Sequence, residues 1–433
     1  MLSFQVDFPR ALVPRTNTHL AVLVAAIFPI SVSVQAQQKV TGPQASYWLQ
    51  AETSTGFSPQ SGGGAMGLGA VMGGLFGGGG AGGGASKTLK LDLFAPRDGN
   101  PATGQHAIPG AMAMGSSLKL LGSEKSLRPP EREERDVPEM QEAQGNMRML
   151  FFWGCGEDAG AGQPVILDMK DMRDGKLPPN MRSTWVRDLE RTPFSGRDRG
   201  FATWPNAQDS TRVPGNSSLT GDHAVSSNIS PDIRFPVTAT NDYLGAVNLS
   251  SAATPGGASK LSWNAVDRSL GYFATGMGVR ETSPRNSDMV LWNSSTPRML
   301  GGDSLMRFLP PSEVNRLVGE RVVMPPSTTE CVVPKQVLAA AGGQLLFSSL
   351  NAFGPELNVI YPPRPTDPRV EWKQEYSVKL RTRSHTTSMS MMAGGGRGMP
   401  SEDAASTQRE KPTGSVPNPL GEAGNLLRGL FGR

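Results

Sequence analysis

Residues that carry enzyme chemistry are scarce in this chain. It contains four histidines and two cysteines among 433 residues, and only His106, His223 and His385 follow the first 36 positions. Histidine is the commonest general base, and none of these three lies in HExxH or another short metal-ligand spacing. We therefore interpret each of them as a surface or loop histidine rather than a ligand. The GxSxG turn of hydrolases and a GxGxxG motif that opens a helix are also absent. The sequence therefore predicts no cofactor and favours a protein that is not an enzyme.

A strong excess of one charge sign is also missing. The formal net charge is +4, and the first 36 residues hold Arg10, Arg15 and Asp7, net +1, which leaves +3 for the remainder. Such a small and scattered excess argues against nucleic acid or an anionic membrane as the main partner. We expect the partner to be another envelope protein or a surface polymer. Membrane contact is expected to be at most peripheral, through the C-terminal tail.

The start of the chain has the pattern of an export signal. A polar leader precedes the apolar residues 20–34, and small residues end the run at Ala36, just before Gln37. The run has about 15 residues and contains Pro29, whereas a membrane-spanning helix needs roughly 20. We therefore predict a signal peptide at 1–36, cleaved between Ala36 and Gln37, with a retained anchor as the alternative. The mature chain is expected to be periplasmic or secreted.

The two cysteines lie beyond this predicted signal. Cys155 and Cys331 are 176 positions apart, and an even pair in an oxidising compartment predicts one long-range disulfide. Such a link would contribute roughly 4 to 5 kcal/mol by the loop-entropy argument. Two buried free thiols are the alternative. A nucleophilic role for Cys155, which sits between two glycines, would need a base within hydrogen-bond distance.

The sequence predicts a mainly β fold with two β regions. The first spans 44–170 and includes a disordered glycine-rich loop at 61–86, because glycine runs cannot offset their ordering entropy. A loop-rich connection follows at 171–231, with a short helix near 183–190. Alternation or a short apolar run predicts four strands in the first region, at 46–53, 87–94, 148–155 and 164–168.

The second β region spans 232–390, where regularly spaced short strands indicate an immunoglobulin-like β-sandwich. A helix is predicted at 311–318 with Ser312 as N-cap, and a disordered tail at 392–433. In the last strand, Lys379, Arg381 and Arg383 share one face, which we interpret as the exposed face of an edge strand. The predicted strands are 233–239, 260–266, 271–276, 288–295, 332–337, 344–348, 357–361 and 375–385.

Two resemblances support this interpretation. Residues 232–300, with Trp263, Tyr272 and Trp292 on neighbouring strands, resemble fibronectin type III and immunoglobulin-like sandwiches. The resemblance implies that Trp263 and Tyr272 pack across a core. The whole chain, with its export signal, Tyr47-Trp48 strand, glycine loop and Gly-Cys-Gly sequence, resembles an uncharacterised family of exported proteobacterial proteins. That family implies no activity.

Several residues are weaker candidates for a site. His223 follows Asp222, which could orient its ring, so the alternative function is a hydrolase or metal-dependent enzyme that uses His223. Asp168, Asp171 and Asp174 lack the spacing of a calcium loop, and we interpret them as a solvated turn. Four Asn-x-Ser sequons matter only in a eukaryotic source, at Asn216, Asn228, Asn248 and Asn293. The favoured function is a non-catalytic exported binding or structural protein of the cell envelope or extracellular space.

Overall fold

The computed structural model describes residues 38–56, 84–99, 101–122, 146–173, 199–283, 286–343 and 346–390. Over these residues the fold is mainly β, which confirms the predicted fold class. The signal peptide with Ala36 and Gln37, most of the glycine-rich loop, the helix near 183–190 and the tail at 392–433 lie outside the described residues.

One large sheet organises the described chain. Its 13 strands run in the order β10-β9-β4-β5-β8-β3-β2-β18-β16-β13-β14-β6-β7. Bounds of the first eight strands in this order are β10 (Ile233–Val237), β9 (Gly221–Ser227), β4 (Thr103–Ala107), β5 (Ser117–Leu121), β8 (Gly200–Trp204), β3 (Ser86–Ala95), β2 (Ala45–Gly56) and β18 (Tyr376–Ser390). The remaining strands are β16 (Leu346–Tyr361), β13 (Gly271–Ser283), β14 (Asn286–Asn293), β6 (Asn146–Trp153) and β7 (Val165–Asp168).

Smaller elements pack around this sheet. In the described part of the chain, a three-stranded sheet and a two-stranded parallel pair accompany it, together with three α-helices. The three-stranded sheet is β11 (Leu249–Ala253), β12 (Ser259–Trp263) and β15 (Glu330–Val333), and the pair is β1 (Val40–Thr41) with β17 (Trp372–Lys373). The helices are α1 (Met169–Arg173), α2 (Pro311–Gly319) and α3 (Lys335–Ala340).

Strands from the two predicted β regions are hydrogen-bonded to each other. Strand β18 pairs in parallel with β2 on one side and antiparallel with β16 on the other. Strand β14 pairs in parallel with β6. The large sheet therefore contains strands from both ends of the described chain, and its centre is formed by β2, β18 and β16.

The first eight strands of the sheet curl around a shared core. Alternate residues of β2, namely Ala45, Tyr47, Leu49 and Ala51, are buried, because successive side chains of a strand point to opposite faces. They belong to the same apolar cluster as residues of the edge strand β10. The hydroxyl of Tyr376 on β18 donates to the carbonyl of Arg234 on β10 at 3.0 Å, which brings the two ends of this group of strands together.

The second half of the sheet is covered on both faces. The three-stranded sheet and α3 share an apolar cluster with β13, β14 and β16. On the other face, Val314 and Leu317 of α2 pack with Phe273 and Phe353. Trp263 of β12 lies 5.6 Å from Tyr272 of β13, ring centre to ring centre, so this pair packs between the two sheets.

Three local predictions were wrong, and the predicted loop-rich connection at 171–231 contains two short strands among its described residues. These are β8, which pairs with β3, and β9, which pairs with β4 and β10. Residues 332–337 are not one strand, because the chain leaves β15 at Pro334 and begins α3. The described part of the first predicted strand, 346–348, and the predicted strand at 357–361 belong to one strand, β16. Helix α2 has Pro310 rather than Ser312 as N-cap, with Pro311 in its first turn.

Candidate functional site

A chain of hydrogen bonds inside the curled sheet joins Tyr47, His106 and His223. The Tyr47 hydroxyl lies 2.9 Å from Nδ1 of His106, and Nε2 of His106 lies 2.9 Å from Nδ1 of His223. Nε2 of His223 lies 2.7 Å from the carbonyl oxygen of Leu219. All three side chains are buried. We call this set the Tyr-His-His chain.

Strand register explains how these residues meet. His106 on β4 is directly opposite Val225 on β9, and His223 lies two residues before Val225, on the same face. This places the two histidines diagonally across adjacent strands, where long side chains reach each other. Phe235 on β10 is directly opposite His223, and their rings stack at 4.9 Å.

One proton arrangement satisfies every ring nitrogen of the chain. The Leu219 carbonyl can only accept, so Nε2 of His223 carries a proton, and Nδ1 of neutral His223 is an acceptor. Nε2 of His106 then donates to it, which leaves Nδ1 of His106 to accept from the Tyr47 hydroxyl. The chain is therefore directional, from the Tyr47 hydroxyl to the Leu219 carbonyl, when both imidazoles are neutral.

Burial favours these neutral forms. It lowers the pKa of His106 well below 6.5, and the neighbouring His223 lowers it further. Burial also lowers the pKa of His223, although the Leu219 carbonyl and Asp222 partly oppose the shift. The pKa of the Tyr47 phenol is raised well above 10.0, first by burial and then by Asp92.

The acceptor end of the chain is held by a second set of contacts. Asp242 accepts from the Leu219 backbone N–H at 2.7 Å and from the Ser218 hydroxyl at 2.6 Å. The guanidinium of Arg268 donates to the carbonyl oxygens of Asp242 and Tyr243. Leu219 is thereby fixed in position, and the orientation of the His223 ring follows from it.

The structure corrects the sequence interpretation of the histidines. His106 and His223 are core residues of strands, not surface or loop residues. Asp222 is exposed while His223 is buried, because neighbours in a strand point to opposite faces. In the sequence, the position of His223 two residues before the apolar Val225 was the signal that could have indicated its burial on the same face of a strand. His385 lies on the central strand β18, where burial lowers its pKa.

An enzyme that uses His223 would need a nucleophile, a carboxylate or a metal at its ring. Both ring nitrogens are instead engaged by His106 and the Leu219 carbonyl. In the described ranges, no group of three or more His, Cys, Asp or Glu side chains could hold a metal ion. The geometry of His223 is that of an internal hydrogen-bonding residue.

The predicted disulfide is present. Cys155 follows β6 of the large sheet and Cys331 lies in β15 of the small sheet, with their Cα atoms 5.3 Å apart. The residues after Cys155 pack along the same region, since Gly156 donates its backbone N–H to the Val332 carbonyl and Asp158 pairs with Lys335 at 2.8 Å. The disulfide therefore links the two sheets.

The sequence predicts that Lys379, Arg381 and Arg383 lie on the exposed face of an edge strand. Their strand, β18, lies instead in the centre of the large sheet. Arg381 is 4% exposed, and its Nε donates to Glu356 of β16 at 2.6 Å. Arg383 pairs with Glu52 of β2. The indole of Trp48 packs beneath Lys379, 5.0 Å from Nζ to the ring centre. These cations are partly or fully buried and paired because β18 has a hydrogen-bonded neighbour on each side.

The remaining candidates are distributed over the surface and core. Asp168 accepts from the Lys170 backbone N–H, as in a local turn, and Asp174 lies outside the described residues. Among the sequons, Asn216, Asn228 and Asn248 are exposed. Asn293 is buried and donates to the carbonyls of Met299 and Gly301, so its amide is not accessible in the folded protein.

Comparisons with protein-family models, curated proteins and solved structures found no match. None of the helices in the described part of the chain is long and apolar enough to cross a bilayer.

Proposed function

We propose that this protein is exported to the periplasm or secreted, and that it acts there as a non-catalytic binding or structural component of the cell envelope or extracellular space. The observation that carries the proposal is the Cys155–Cys331 disulfide between the two sheets. Disulfides persist in oxidising compartments and are rare in the cytosol. The leader at 1–36, with its small residues before Gln37, supports the same destination.

The interior of the curled sheet supports a non-catalytic role. The ring nitrogens of His106 and His223 are used within the fold, and burial holds both rings neutral. An arrangement of this kind stabilises and orients a core, because buried polar groups are costly unless they are fully paired. We infer that the protein catalyses no reaction and that its surface binds another envelope protein or a surface polymer.

Cell fractionation tests the export proposal. The full chain is expressed in a Gram-negative host next to Leu23→Arg, which places a charge in the apolar run. We expect the wild-type chain in the periplasm or medium, starting at Gln37 by N-terminal sequencing, and the variant in the cytoplasm. A wild-type chain that remains cytoplasmic with its leader intact would overturn the proposal.

A further inference from the structure

The two cysteines of the disulfide differ in their exposure. Cys155 is an exposed residue in the turn after β6, whereas Cys331 is 3% exposed. Cys331 lies in β15 directly opposite Leu261 of β12, and both belong to the apolar cluster between the two sheets. A thiol that approaches the folded protein from solvent therefore meets Cys155 and not Cys331.

The residues on either side of Cys155 explain its exposure. Gly154 has a φ of 90°, a left-handed conformation that favours glycine, and it turns the chain away from the end of β6. Gly156 follows Cys155 directly. Neither sequence neighbour carries a side chain, so neither of them shields the sulfur atom of Cys155. The Gly-Cys-Gly sequence thus presents this cysteine to solvent.

Hydrogen bonds hold this turn in place independently of the S–S bond. Nε1 of Trp292 donates to the Gly154 carbonyl at 2.9 Å, on the side of the large sheet. The Gly156 backbone N–H donates to the Val332 carbonyl at 2.8 Å, on the side of the small sheet. We therefore expect the turn to stay next to β15 when the S–S bond opens.

Exposure decides which sulfur atom takes part in thiol–disulfide exchange. An incoming thiolate attacks a disulfide sulfur, and access determines which of the two is attacked. Here the thiolate forms a bond to Sγ of Cys155, the S–S bond breaks, and its electron pair leaves with Sγ of Cys331. The apolar surroundings of Cys331 disfavour its thiolate. They favour its return to Cys155, which reforms the S–S bond and expels the incoming thiol.

We propose that Cys155 is a thiol-exchange site of the folded protein, at which a protein dithiol forms a mixed disulfide, and that Cys331 is the resolving cysteine. The second thiolate of the partner attacks the partner's own sulfur in the mixed disulfide and releases Cys155 as a thiolate. Two electrons thereby pass from the partner to this chain, which becomes a dithiol while the partner becomes a disulfide. That the partner is itself an exported protein rests on the function proposed above.

A dithiol fits this site better than a single thiol does. Groups that the fold holds side by side react with each other much faster than with a second molecule from solution. Cys331 stays beside Cys155, so it expels a monothiol such as glutathione before another thiol arrives. A dithiol carries its second thiolate in the same complex and competes with Cys331.

Two single-thiol variants test the difference between the cysteines. Cys331→Ser retains Cys155 and Cys155→Ser retains Cys331, and each is the matched control of the other because both lack the disulfide. Their reaction with Ellman's reagent is followed without denaturant. We expect the thiol of Cys155 to react at least about tenfold faster, because a buried thiol reacts only in a locally open state. Equal rates would overturn the proposal.

Reduction of the wild-type disulfide needs no variant. The purified protein is treated with dithiothreitol in a series of low urea concentrations, and free thiols are counted while tryptophan fluorescence reports the fold. We expect reduction with native fluorescence, at a rate that urea leaves unchanged. A rate that rises with urea in step with the unfolding equilibrium would show that the bond opens only in unfolded chains, and would overturn the proposal.

The nature of the partner is tested by comparing reductants at equal thiol concentration. Reduced thioredoxin serves as the protein dithiol and glutathione as the monothiol. We expect thioredoxin to open the disulfide and glutathione to leave it closed. Equal reduction by glutathione would contradict the resolving role of Cys331, and no reduction by thioredoxin would contradict a protein dithiol as partner. Export is measured separately by fractionation, so either failure leaves the proposed function standing.

Discussion

At the scale of single residues, the Tyr47 hydroxyl is the donor that completes the Tyr-His-His chain. Tyr47→Phe leaves Nδ1 of His106 buried without its donor, and we expect a loss of about 1 to 3 kcal/mol in the free energy of unfolding. Tyr243→Phe is the matched control, because the Tyr243 hydroxyl is buried and has no hydrogen-bond partner among the described residues. It should be close to neutral. Urea unfolding compares the two variants. Equal losses in unfolding free energy would contradict the role of the Tyr47 hydroxyl as a donor in the Tyr-His-His chain.

The same chain makes stability depend on pH. Both histidines have a pKa lowered below 6.5 in the folded state, so below that pH the unfolded chain binds more protons. The two neutral histidines therefore make their full contribution to stability above about pH 6.5. This contribution falls as the pH drops towards their pKa values in the folded state. The measurement is the urea midpoint over a pH series.

His223→Gln isolates this effect. A glutamine amide can donate to the Leu219 carbonyl and accept from His106, but it does not titrate. We expect a shallower fall in the midpoint between about pH 6.5 and 5 than in the wild type. An unchanged slope would mean that His223 does not couple protonation to folding.

At this scale, the sequence predicts which side chains face the core only where apolar and polar residues alternate along a strand. The inward face of 46–53 follows from it and is observed, with Tyr47, Leu49 and Ala51 buried. The sequence predicts surface or loop positions for His106 and His223, because neither lies in a metal-binding spacing, and the structure buries both. His106 pairs with Tyr47 of β2 and with His223 of β9, and these partners are distant from it in the chain. No local sequence pattern indicates which polar groups will pair.

At the scale of elements, the central position of β18 determines how much the ion pairs of its charged residues, Lys379, Arg381 and Arg383, contribute to the free energy of unfolding. Glu356 accepts from Arg381, which is almost fully buried. Glu356→Gln removes the charge that compensates this cation, and we expect a loss of about 3 kcal/mol in unfolding free energy. The thermal midpoint and urea unfolding report it.

Glu371→Gln provides the comparison, since Glu371 pairs with the exposed Lys39 and Lys373. Its loss should cost at most about 1 kcal/mol. If both glutamate variants were equally stable, the row on β18 would not be the buried network described above.

Strands with clear alternation could be predicted, but their neighbours could not. The pattern of β18 shows which residues share a face, and that face assignment agrees with the apolar core residues Tyr376, Val378 and Leu380. It does not show whether the opposite face meets water. That depends on pairing with β2 and β16, which joins segments far apart in sequence, so the edge prediction was wrong.

At the scale of the whole molecule, the disulfide couples the large sheet to the small one. Replacing both cysteines by serine should lower the unfolding free energy by about 5 kcal/mol, because the closed loop of 176 positions restricts the unfolded chain. Urea unfolding of wild type and Cys155→Ser/Cys331→Ser measures the difference. The gap should disappear when the wild type is reduced. If the difference in unfolding free energy persisted under reducing conditions, the loss would come from the serine side chains and not from the missing disulfide.

A non-reducing peptide map of the chain recovered from outside the cytoplasm tests the central claim most directly. The account predicts one linked pair of peptides that contains Cys155 and Cys331, and no free thiol. Two alkylated cysteines in the exported protein would contradict it.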